Sequence, residues 1–373
     1  VPHLRFPEFS GEWKEEQLDS IATLSKGIGI SKEQLSEDGE PCILYGELYT
    51  KYKSEIIKHV ESKTDIDSSK LKRSKANDVI IPCSGETAVD IATARCVPFD
   101  NILLGGDLNV ISLHKYDGAF MSYQLNGKRK YDIARVAQGV SVVHLYGEHL
   151  KAIKTYNPSL PEQQKIAELL SLIDERIATQ NKIIEDLKKL KSAISERLFK
   201  SVKGFTVLLS DLCDIVKGKQ INGENLSESG NYYVMNGGTE PSGYYDNYNV
   251  EASTISISEG GNSCGYVQFN TSPFWSGGHC YSIQNIADKV DNMYLYHYLK
   301  SNEDAIMKLR IGSGLPNIQK KDLAMFKIIV PKIEWQIKIS TFLSSLERKA
   351  EIEERIQNVM QKQKLYLLQQ MFI

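Results

Sequence analysis

The fold is decided by a repeated segment, whose first copy reads PSLPEQQKIAELLSLIDERIATQNKIIEDLKKLKSAISERLF over residues 158–199. The second copy, over residues 331–372, reads PKIEWQIKISTFLSSLERKAEIEERIQNVMQKQKLYLLQQMF and aligns without a gap at an offset of 173. Ten aligned pairs are identical, namely Pro158/Pro331, Gln163/Gln336, Lys165/Lys338, Ile166/Ile339, Leu170/Leu343, Ser171/Ser344, Ile183/Ile356, Lys189/Lys362, Lys191/Lys364 and Phe199/Phe372. A repeat of this length indicates a tandem duplication, in which each half is a globular domain followed by a helix.

Both segments are expected to form long helices. In the first, positions 166, 170, 173, 177, 180, 184, 187, 191, 194 and 198 form a heptad seam, which is interrupted by Gln180 and Lys191. In the second, Ile339, Leu343 and Leu346 begin a stripe that drifts through Ile352, Ile356, Val359, Met360, Leu367 and Met371. Each helix of roughly 40 residues would span about 60 Å. We expect the two helices to pack as an antiparallel coiled coil; the alternative is two surface helices on separate domains.

The pattern divides the chain into four parts. Residues 1–157 are the first domain, 158–203 the first helix, 204–330 the second domain and 331–373 the second helix. Strands are expected in stretches that are β-branched or alternate in polarity, namely Val79–Pro82, Asn101–Leu104, Leu108–Leu113, Thr254–Ser258 and Phe326–Val330. The predicted fold class is therefore α+β, with two mixed β-rich domains separated by two long antiparallel helices.

The duplication extends into the predicted domains. Four elements match, namely Lys26–Gly27 with Lys217–Gly218, Gly105–Gly106 with Gly277–Gly278, Gly139 with Gly312, and His144–Leu145 with Asn317–Ile318. Between these elements the two domains diverge. This divergence indicates that whatever the domains bind, they bind differently.

Composition limits the classes of protein that fit. The chain of 373 residues is long enough for two domains, and no apolar run approaches the ~20 residues that a membrane-spanning helix needs. Six cysteines without a C-x-x-C pair are expected to be buried free thiols, which favours a cytoplasmic protein. A net charge of −2 leaves no overall basic footprint, so any nucleic-acid binding must depend on local clusters or on basic partners.

No catalytic constellation is recognisable in the sequence. It contains neither a G-x-x-x-x-G-K-[ST] phosphate loop nor the Asn-Pro-Pro-aromatic loop of adenine methyltransferases. His279–Cys280 is expected to be a packed pair of β residues and not a nucleophile with its base. We therefore expect a non-catalytic chain that holds no metal and no cofactor of its own.

Basic and amide side chains are the candidates for DNA contact, because Arg and Gln can fork onto bases and Lys neutralises phosphate. The candidates in the first domain are Lys70, Lys72, Arg73, Lys75, Lys128, Arg129 and Lys130. Those in the second domain are Lys217, Lys219, Gln220, Lys308 and Arg310. The alternative for each cluster is a solvated surface without a partner.

Several motifs resemble the specificity subunits of type I restriction–modification enzymes. They are Leu4–Arg5–Phe6–Pro7–Glu8–Phe9 with Gly11 and Trp13, the helix entry Pro158-x-x-x-Glu162–Gln163-x-x-Ile166–Ala167-x-x-Leu170, and the Gly139/His144–Leu145 and Gly312/Asn317–Ile318 elements. The resemblance covers the whole chain in the order domain, helix, domain, helix. The second copy departs from the pattern at Trp335, which stands where Glu162 stands in the first.

The resemblance implies a DNA-recognition scaffold. Each domain would read one half of a split, asymmetric DNA site, and the helix pair would set the unread spacer. Two methyltransferase subunits with S-adenosylmethionine would methylate adenine, and restriction subunits using ATP and Mg²⁺ would cleave unmodified DNA. The alternative function is a coiled-coil adaptor that presents two protein- or glycan-binding β domains.

Overall fold

The structure is a computed structural model that describes residues 1–139, 142–312 and 314–373. The chain forms two units: unit 1 is Val1–Asn181 with Arg355–Ile373, and unit 2 is Lys182–Glu354. Each unit therefore combines one mixed α/β domain with a part of both long helices.

The strands in chain order are β1 (Lys14–Gln17), β2 (Ala22–Lys26), β3 (Glu40–Ile43), β4 (Lys63–Thr64), β5 (Lys72–Arg73), β6 (Asp78–Pro82), β7 (Ser84–Gly85), β8 (Arg95–Val97), β9 (Leu103–Leu104), β10 (Leu108–Leu113), β11 (Val143–His144), β12 (Lys154–Asn157), β13 (Phe205–Leu208), β14 (Asp214–Lys217), β15 (Tyr232–Met235), β16 (Tyr244–Tyr245), β17 (Thr254–Ser258), β18 (Val267–Asn270), β19 (Trp275–Ser276), β20 (Cys280–Gln284) and β21 (Lys327–Val330). The helices are α1 (Leu18–Ile21), α2 (Glu47–Thr50), α3 (Ala88–Ile91), α4 (Gly118–Asn126), α5 (Lys130–Val136), α6 (Gly147–Lys151), α7 (Leu160–Ser201), α8 (Asn292–Ser301), α9 (Glu303–Met307), α10 (Lys320–Ala324) and α11 (Ile333–Gln370). Short 3₁₀ turns lie at Lys32–Gln34, Leu209–Asp211 and Gly223–Asn225.

The main sheet has the same antiparallel four-stranded order in both units. It is β2-β10-β6-β8 in unit 1 and β14-β20-β17-β18 in unit 2. A second antiparallel pair, β1 with β12 or β13 with β21, joins the start of each domain to the strand before its long helix. The duplication inferred from sequence is thus present in the topology, and the predicted α+β class is confirmed.

Most predicted strands are present at or near the expected bounds. The stretches at Leu108–Leu113 and Thr254–Ser258 are strands over their full length. The strand expected over Asn101–Leu104 is limited to Leu103–Leu104. The prediction failed there because Asn101 adopts a φ of +65°, in the left-handed region that interrupts a strand.

The seam of α7 is confirmed, since all ten predicted positions from 166 to 198 are buried or half-buried. The stripe predicted for α11 was wrong in its middle: Ile352, Ile356 and Val359 are 54%, 39% and 64% exposed. The buried or half-buried positions are instead 339, 343, 346, 350, 353, 357, 360, 364, 367 and 371, which are the α7 seam shifted by 173. Because positions 350, 353 and 357 hold Ala, Glu and Gln, hydrophobicity alone misplaced the stripe.

Within each unit the two helices run antiparallel. The side-chain contacts across the pair include Asp174–Lys364 and Asn181–Gln357 in unit 1, and Lys188–Glu354 and Lys191–Glu347 in unit 2. In both units the residue number rises along α7 as it falls along α11.

A largely buried lysine lies at the seam of each unit. In unit 1 the Lys364 Nζ atom is 2.6 Å from Asp174 Oδ1 and 2.5 Å from Glu55 Oε2, and the three side chains are 7–15% exposed. In unit 2 Lys191 pairs with Glu347. In the alignment of the repeat, Lys191 corresponds to Lys364 and Glu347 to Asp174. A buried ion pair adds little net stability, but another register would leave its charges unpaired. The pairs therefore favour one register of the helices.

An identical glutamine attaches each long helix to its domain. Gln163 Oε1 accepts from the Asp117 N–H at 2.9 Å, and Gln163 Nε2 donates to the Pro158 carbonyl at 2.8 Å. Gln336 makes the equivalent bonds to Asp291 N–H and the Pro331 carbonyl, both at 2.8 Å. Asp117 and Asp291 are the N-caps of α4 and α8, so one buried side chain joins two helix starts.

The buried charges of unit 1 generate a stability prediction. Changing Lys364→Met would leave Glu55 and Asp174 without their shared cation, and we expect the free energy of unfolding to fall by about 3–5 kcal/mol at pH 8. Burial already raises the pKa of Glu55, so this carboxyl should take up a proton as the pH falls. The deficit relative to the unmodified chain should then shrink toward pH 5.

Urea unfolding followed by circular dichroism at the two pH values measures this effect. Lys362→Met, an exposed position on the same helix, is the matched control and should change stability little. A Lys364→Met deficit that is the same at both pH values would contradict the assignment of a buried charge.

Candidate nucleic-acid interface

Glycine-rich segments meet at one edge of the main sheet in unit 2. The N–H of Gly218, just after β14, donates to the Cys280 carbonyl at 2.9 Å, and the N–H of Glu259, just after β17, donates to the His279 carbonyl at 2.9 Å. Gly277 N–H donates to the carbonyl of Met235 at 2.8 Å. We call this meeting of residues 217–220, 236–237, 259–260 and 277–279 the unit 2 crossing.

Close approach of the backbones explains the glycines. A Cβ atom on Gly218 would lie 2.1 Å from the Gly277 carbonyl oxygen, and one on Gly278 would lie 2.3 Å from Gln220 Oε1. Gly237 has a φ of +86°, which side chains disfavour. The segments of the unit 2 crossing can therefore approach this closely because glycines occupy these positions.

Unit 1 contains the same crossing. Gly27 N–H donates to the Leu108 carbonyl at 2.9 Å, and a Cβ on Gly27 would lie 1.9 Å from the Gly105 oxygen. The Cys83 N–H donates to the Asp107 carbonyl at 2.7 Å, as Glu259 does to His279 in unit 2. We call residues 26–28, 83–85 and 105–107 the unit 1 crossing. Lys26, Cys83 and Asp107 thus stand where unit 2 has Lys217, Glu259 and His279.

A buried carboxylate organises the unit 2 crossing. Glu259 is 8% exposed, and its Oε1 atom accepts from Lys217 Nζ at 2.6 Å and lies 3.1 Å from the Tyr281 hydroxyl. Burial, and next the Glu259 charge, raises the pKa of Tyr281, which keeps this phenol protonated. Glu259 Oε2 has no hydrogen-bond partner among the described residues, and His279 Nδ1 lies 3.8 Å from it. The buried carboxylate thus lies beneath two exposed side chains, Lys217 and His279, which are 53% and 62% exposed.

The two crossings present different chemistry to solvent. In unit 2 the exposed groups are the Lys217 ammonium, which is a donor, and the His279 imidazole and nearby Gln220 amide, each of which can both donate and accept. In unit 1 the exposed groups are the Lys26 ammonium, 5.8 Å from the centre of the Tyr146 ring, and the Asp107 carboxylate, which is an acceptor. Both crossings therefore expose a lysine at the same position, and they differ at the second exposed position, which is His279 in unit 2 and Asp107 in unit 1.

Most of the predicted residues of unit 2 lie at or beside its crossing. Lys217, Lys219 and Gln220 belong to it and are exposed. Arg310 borders it, because the next residue, Ile311, pairs with Asn317, which also bridges to Gly260. Lys308 is exposed just after α9.

The predicted residues of unit 1 lie away from the crossing residues in sequence and are partly engaged. Lys72 and Arg73 form β5, with Lys70 just before it and Lys75 just after it. Arg73 donates to both Glu40 oxygens at 2.6 and 3.0 Å. The Arg73 guanidinium, with Ser68 second, lowers the pKa of Glu40 to about 2.

The cluster Lys128, Arg129 and Lys130 lies beside the end of α11. Arg129 donates to the Ile373 carbonyl at 3.0 Å and pairs with Asp132 at 3.2 Å. Because its guanidinium contacts the Ile373 carbonyl and Asp132, Arg129 helps to hold the end of the chain on unit 1.

Sequence reasoning missed Glu259, His279, Lys26 and Asp107. The repeated Lys–Gly and Gly–Gly pairs marked the position of the crossings, but nothing in the sequence shows which side chains meet there. The expectation of a packed His279–Cys280 pair was half right: Cys280 is 2% exposed, whereas the His279 side chain is 62% exposed because it precedes β20.

The cysteines, the metal-ligating side chains and the hydropathy of the helices complete the description. All six cysteines are free and buried. Among residues 1–139, 142–312 and 314–373, no group of three or more metal-ligating side chains could hold a metal ion. In the same residues, no helix is both long and apolar enough for a membrane span.

Comparisons with known proteins identify the same family in both halves of the chain. The family described as type I restriction modification DNA specificity domain matches residues 10–189 and 204–362. A protein named as a type I specificity subunit of Mycoplasma pneumoniae is 32% identical over 145 residues, 38% of each chain. One from Mycoplasma genitalium is 22% identical over 356 residues, 90% of this chain and 88% of the relative.

The fold is also similar to a solved structure. The crystal structure of the type I restriction–modification S subunit from M. genitalium superposes with a TM-score of 0.70 at 20% identity, covering 100% of this chain and 99% of that one. The adaptor alternative is not favoured by these matches. Because the family match spans both duplicated halves, the chain belongs to the type I restriction–modification DNA specificity family, whose function is DNA sequence recognition.

Proposed function

We propose that the chain is a non-catalytic specificity subunit that reads the two halves of a bipartite, asymmetric DNA site, one half with each crossing. The observation that carries the proposal is that one backbone arrangement occurs in both units with different side chains at equivalent positions. A shared backbone would approach DNA in the same way in each unit, while the side chains would select different bases.

Hydrogen-bonding chemistry supports this division. The Lys217 ammonium and the His279 imidazole of unit 2 suit acceptor atoms at base edges, such as guanine O6 and N7. Asp107 of unit 1 suits the amino group of cytosine or adenine, and Lys26 beside it suits an acceptor or a phosphate. The two half-sites would therefore differ in sequence.

Exposed basic side chains in both units, several of them outside the crossings, support phosphate contacts. The predicted residues Lys70, Lys75, Lys128, Lys219, Lys308 and Arg310 are exposed, and we assign them to phosphate or groove contacts. We assign Lys72 and Lys130, which are half-buried, to the rim of the same surface. With a net charge of −2 the chain alone would bind DNA weakly, and basic partner subunits would supply further phosphate contacts.

Partner subunits would supply the chemistry. Two methyltransferase subunits, carrying S-adenosylmethionine, would attach along α7 and α11, and restriction subunits using ATP and Mg²⁺ would join them. Exposed apolar residues of α11, Ile356 and Val359, support a protein surface there, because unpartnered apolar side chains on a helix favour association.

Variants of the unit 2 crossing test half-site reading. Glu259→Gln removes the charge that holds Lys217, and Lys217→Met removes the donor itself. Both should lower affinity for the cognate site about tenfold or more, and should relax specificity in one half-site only, because the unit 1 crossing is untouched. Mapping methylated adenines in cells that express the variant with its partner subunits measures the change.

Lys289→Met, an exposed lysine of unit 2 outside the crossing, is the matched control and should leave the methylated sequence unchanged. Loss of sequence preference in both half-sites, or in neither, would contradict the assignment of one half-site to each crossing.

Insertions in the long helices test whether their length sets the spacer. Four residues inserted between Asn181 and Lys182, and four between Ile356 and Gln357, keep the observed pairing on both sides of the insertion. The added turn is about 6 Å, so the methylated site should gain one or two unread base pairs.

A four-residue insertion in α7 alone is the control, and it should lose activity because it breaks the antiparallel register. Methylation that stays at the original spacing in the double insertion would show that helix length does not set the spacer.

A further inference from the structure

In unit 1, residues 4–13 pack against the start of α7. We call the place where Trp13 packs against Phe120 and Phe372 the Trp13 seat. Trp13 is 7% exposed and packs edge-on against Phe120 and Phe372, with ring centres 5.8 and 6.4 Å apart. The Trp13 indole N–H donates to Glu162 at 3.3 Å, and Arg5 donates to both oxygens of Glu162 at 2.7 and 2.8 Å. The segment 4–13 is thus held at the start of α7 by an aromatic anchor and a buried charge pair.

Further contacts of this segment fix its path. The Leu4 N–H donates to the Gln370 carbonyl at 2.9 Å. Lys165 Nζ lies 4.8 Å from the centre of the Phe6 ring and pairs with Glu8. The segment therefore crosses both long helices of unit 1 using one tryptophan, one phenylalanine and two charges.

The equivalent place in unit 2 is an open groove. Only residues 202–204 separate α7 from β13, and Gly204 stands where Trp13 precedes β1 in unit 1. The groove has a volume of about 280 Å³ and is lined by Leu198, Val202, Lys203, Pro331, Trp335 and Ile339. Four of these align with unit 1 residues at or beside the Trp13 seat, namely Met371, Pro158, Glu162 and Ile166.

The surface around the groove is more apolar than its counterpart. Trp335 replaces Glu162 and is 59% exposed, and Phe205 replaces Lys14 and is 84% exposed. Exposed aromatic side chains grouped at one place are typical of protein interfaces. Lys338 is retained from the repeat, with its Nζ 5.1 Å from the centre of the Trp335 ring.

We propose that this groove binds an extended peptide segment of the methyltransferase subunit, which inserts one aromatic side chain and places an acidic residue near Lys203 or Lys338. The proposal rests on the proposed function, which supplies that partner. Charge complementarity favours it, because the aligned Lys165 already holds Glu8 of the segment on unit 1. A second copy's residues 4–13 fit less well, since Arg5 would meet Trp335 in place of its carboxylate.

Trp335→Ala in the full chain tests the proposal with the purified methyltransferase subunit as the probe. We expect the thermal midpoint of the chain to stay unchanged, because the indole is exposed, and the dissociation constant for the methyltransferase to rise about tenfold or more. Lys338→Glu should weaken binding as well. Met325→Ala, an exposed apolar position of unit 2 outside the groove lining and outside both long helices, is the matched control and should leave the dissociation constant unchanged.

A measurement on the unmodified chain removes any dependence on folding of the variants. Hydroxyl-radical footprinting should show Trp335 protected in the complex and reactive in the chain alone. Unchanged affinity of Trp335→Ala and full reactivity of Trp335 in the complex would overturn the proposal while leaving the proposed function intact. Self-association that Trp335→Ala abolishes would overturn it in favour of a second copy, and failure of the unmodified chain to bind the methyltransferase would overturn the proposed function itself.

Discussion

The buried lysine at the helix seam constrains the register of the two long helices in each unit. It requires a carboxylate from the facing helix, at Asp174 in unit 1 and Glu347 in unit 2. This pairing favours one register, and in that register the end of one long helix reaches the start of the other. Phe372 then packs on Phe120 and Phe199 on Tyr294, with ring centres 5.2 and 5.8 Å apart. The polar interruption at position 191 of the heptad therefore acts as a register device.

The duplication made the backbone predictable and left the side-chain chemistry open. The starts of the two long helices follow the offset of 173, and the order of the main sheet is the same in both units. The crossing glycines recur at other offsets, 191 for Gly27 and Gly218 and 172 for Gly105 and Gly277. The middle of α11 was misplaced because Ala350, Glu353 and Gln357 occupy a seam that hydrophobicity cannot reveal. The Glu259–Lys217 pair was missed because it joins residues 42 positions apart, and only the folded sheet brings them together.

The crossings show that one backbone arrangement can carry different side chains at equivalent positions. Close contact at Gly27 and Gly218 fixes where the segments meet, and it leaves the neighbouring side chains free to vary. Unit 2 uses a buried carboxylate to orient donors, whereas unit 1 has a cysteine at that position and an exposed carboxylate nearby. The shared backbone arrangement is consistent with a family match in both halves of the chain. The different side chains at the crossings belong to the segments in which the two domains diverge in sequence.

The central claim is that the equivalent crossings face different half-sites of one DNA sequence. Photo-crosslinking tests it most directly, with p-benzoylphenylalanine placed at Ile28 or Lys219, the exposed residues that follow the matched Lys–Gly pairs. In the assembled complex on its cognate DNA, position 28 should crosslink to one half-site and position 219 to the other, whereas exposed position 362 on α11 should give no specific product. Crosslinks from both positions to the same half-site, or none from either while the complex is bound, would contradict the account.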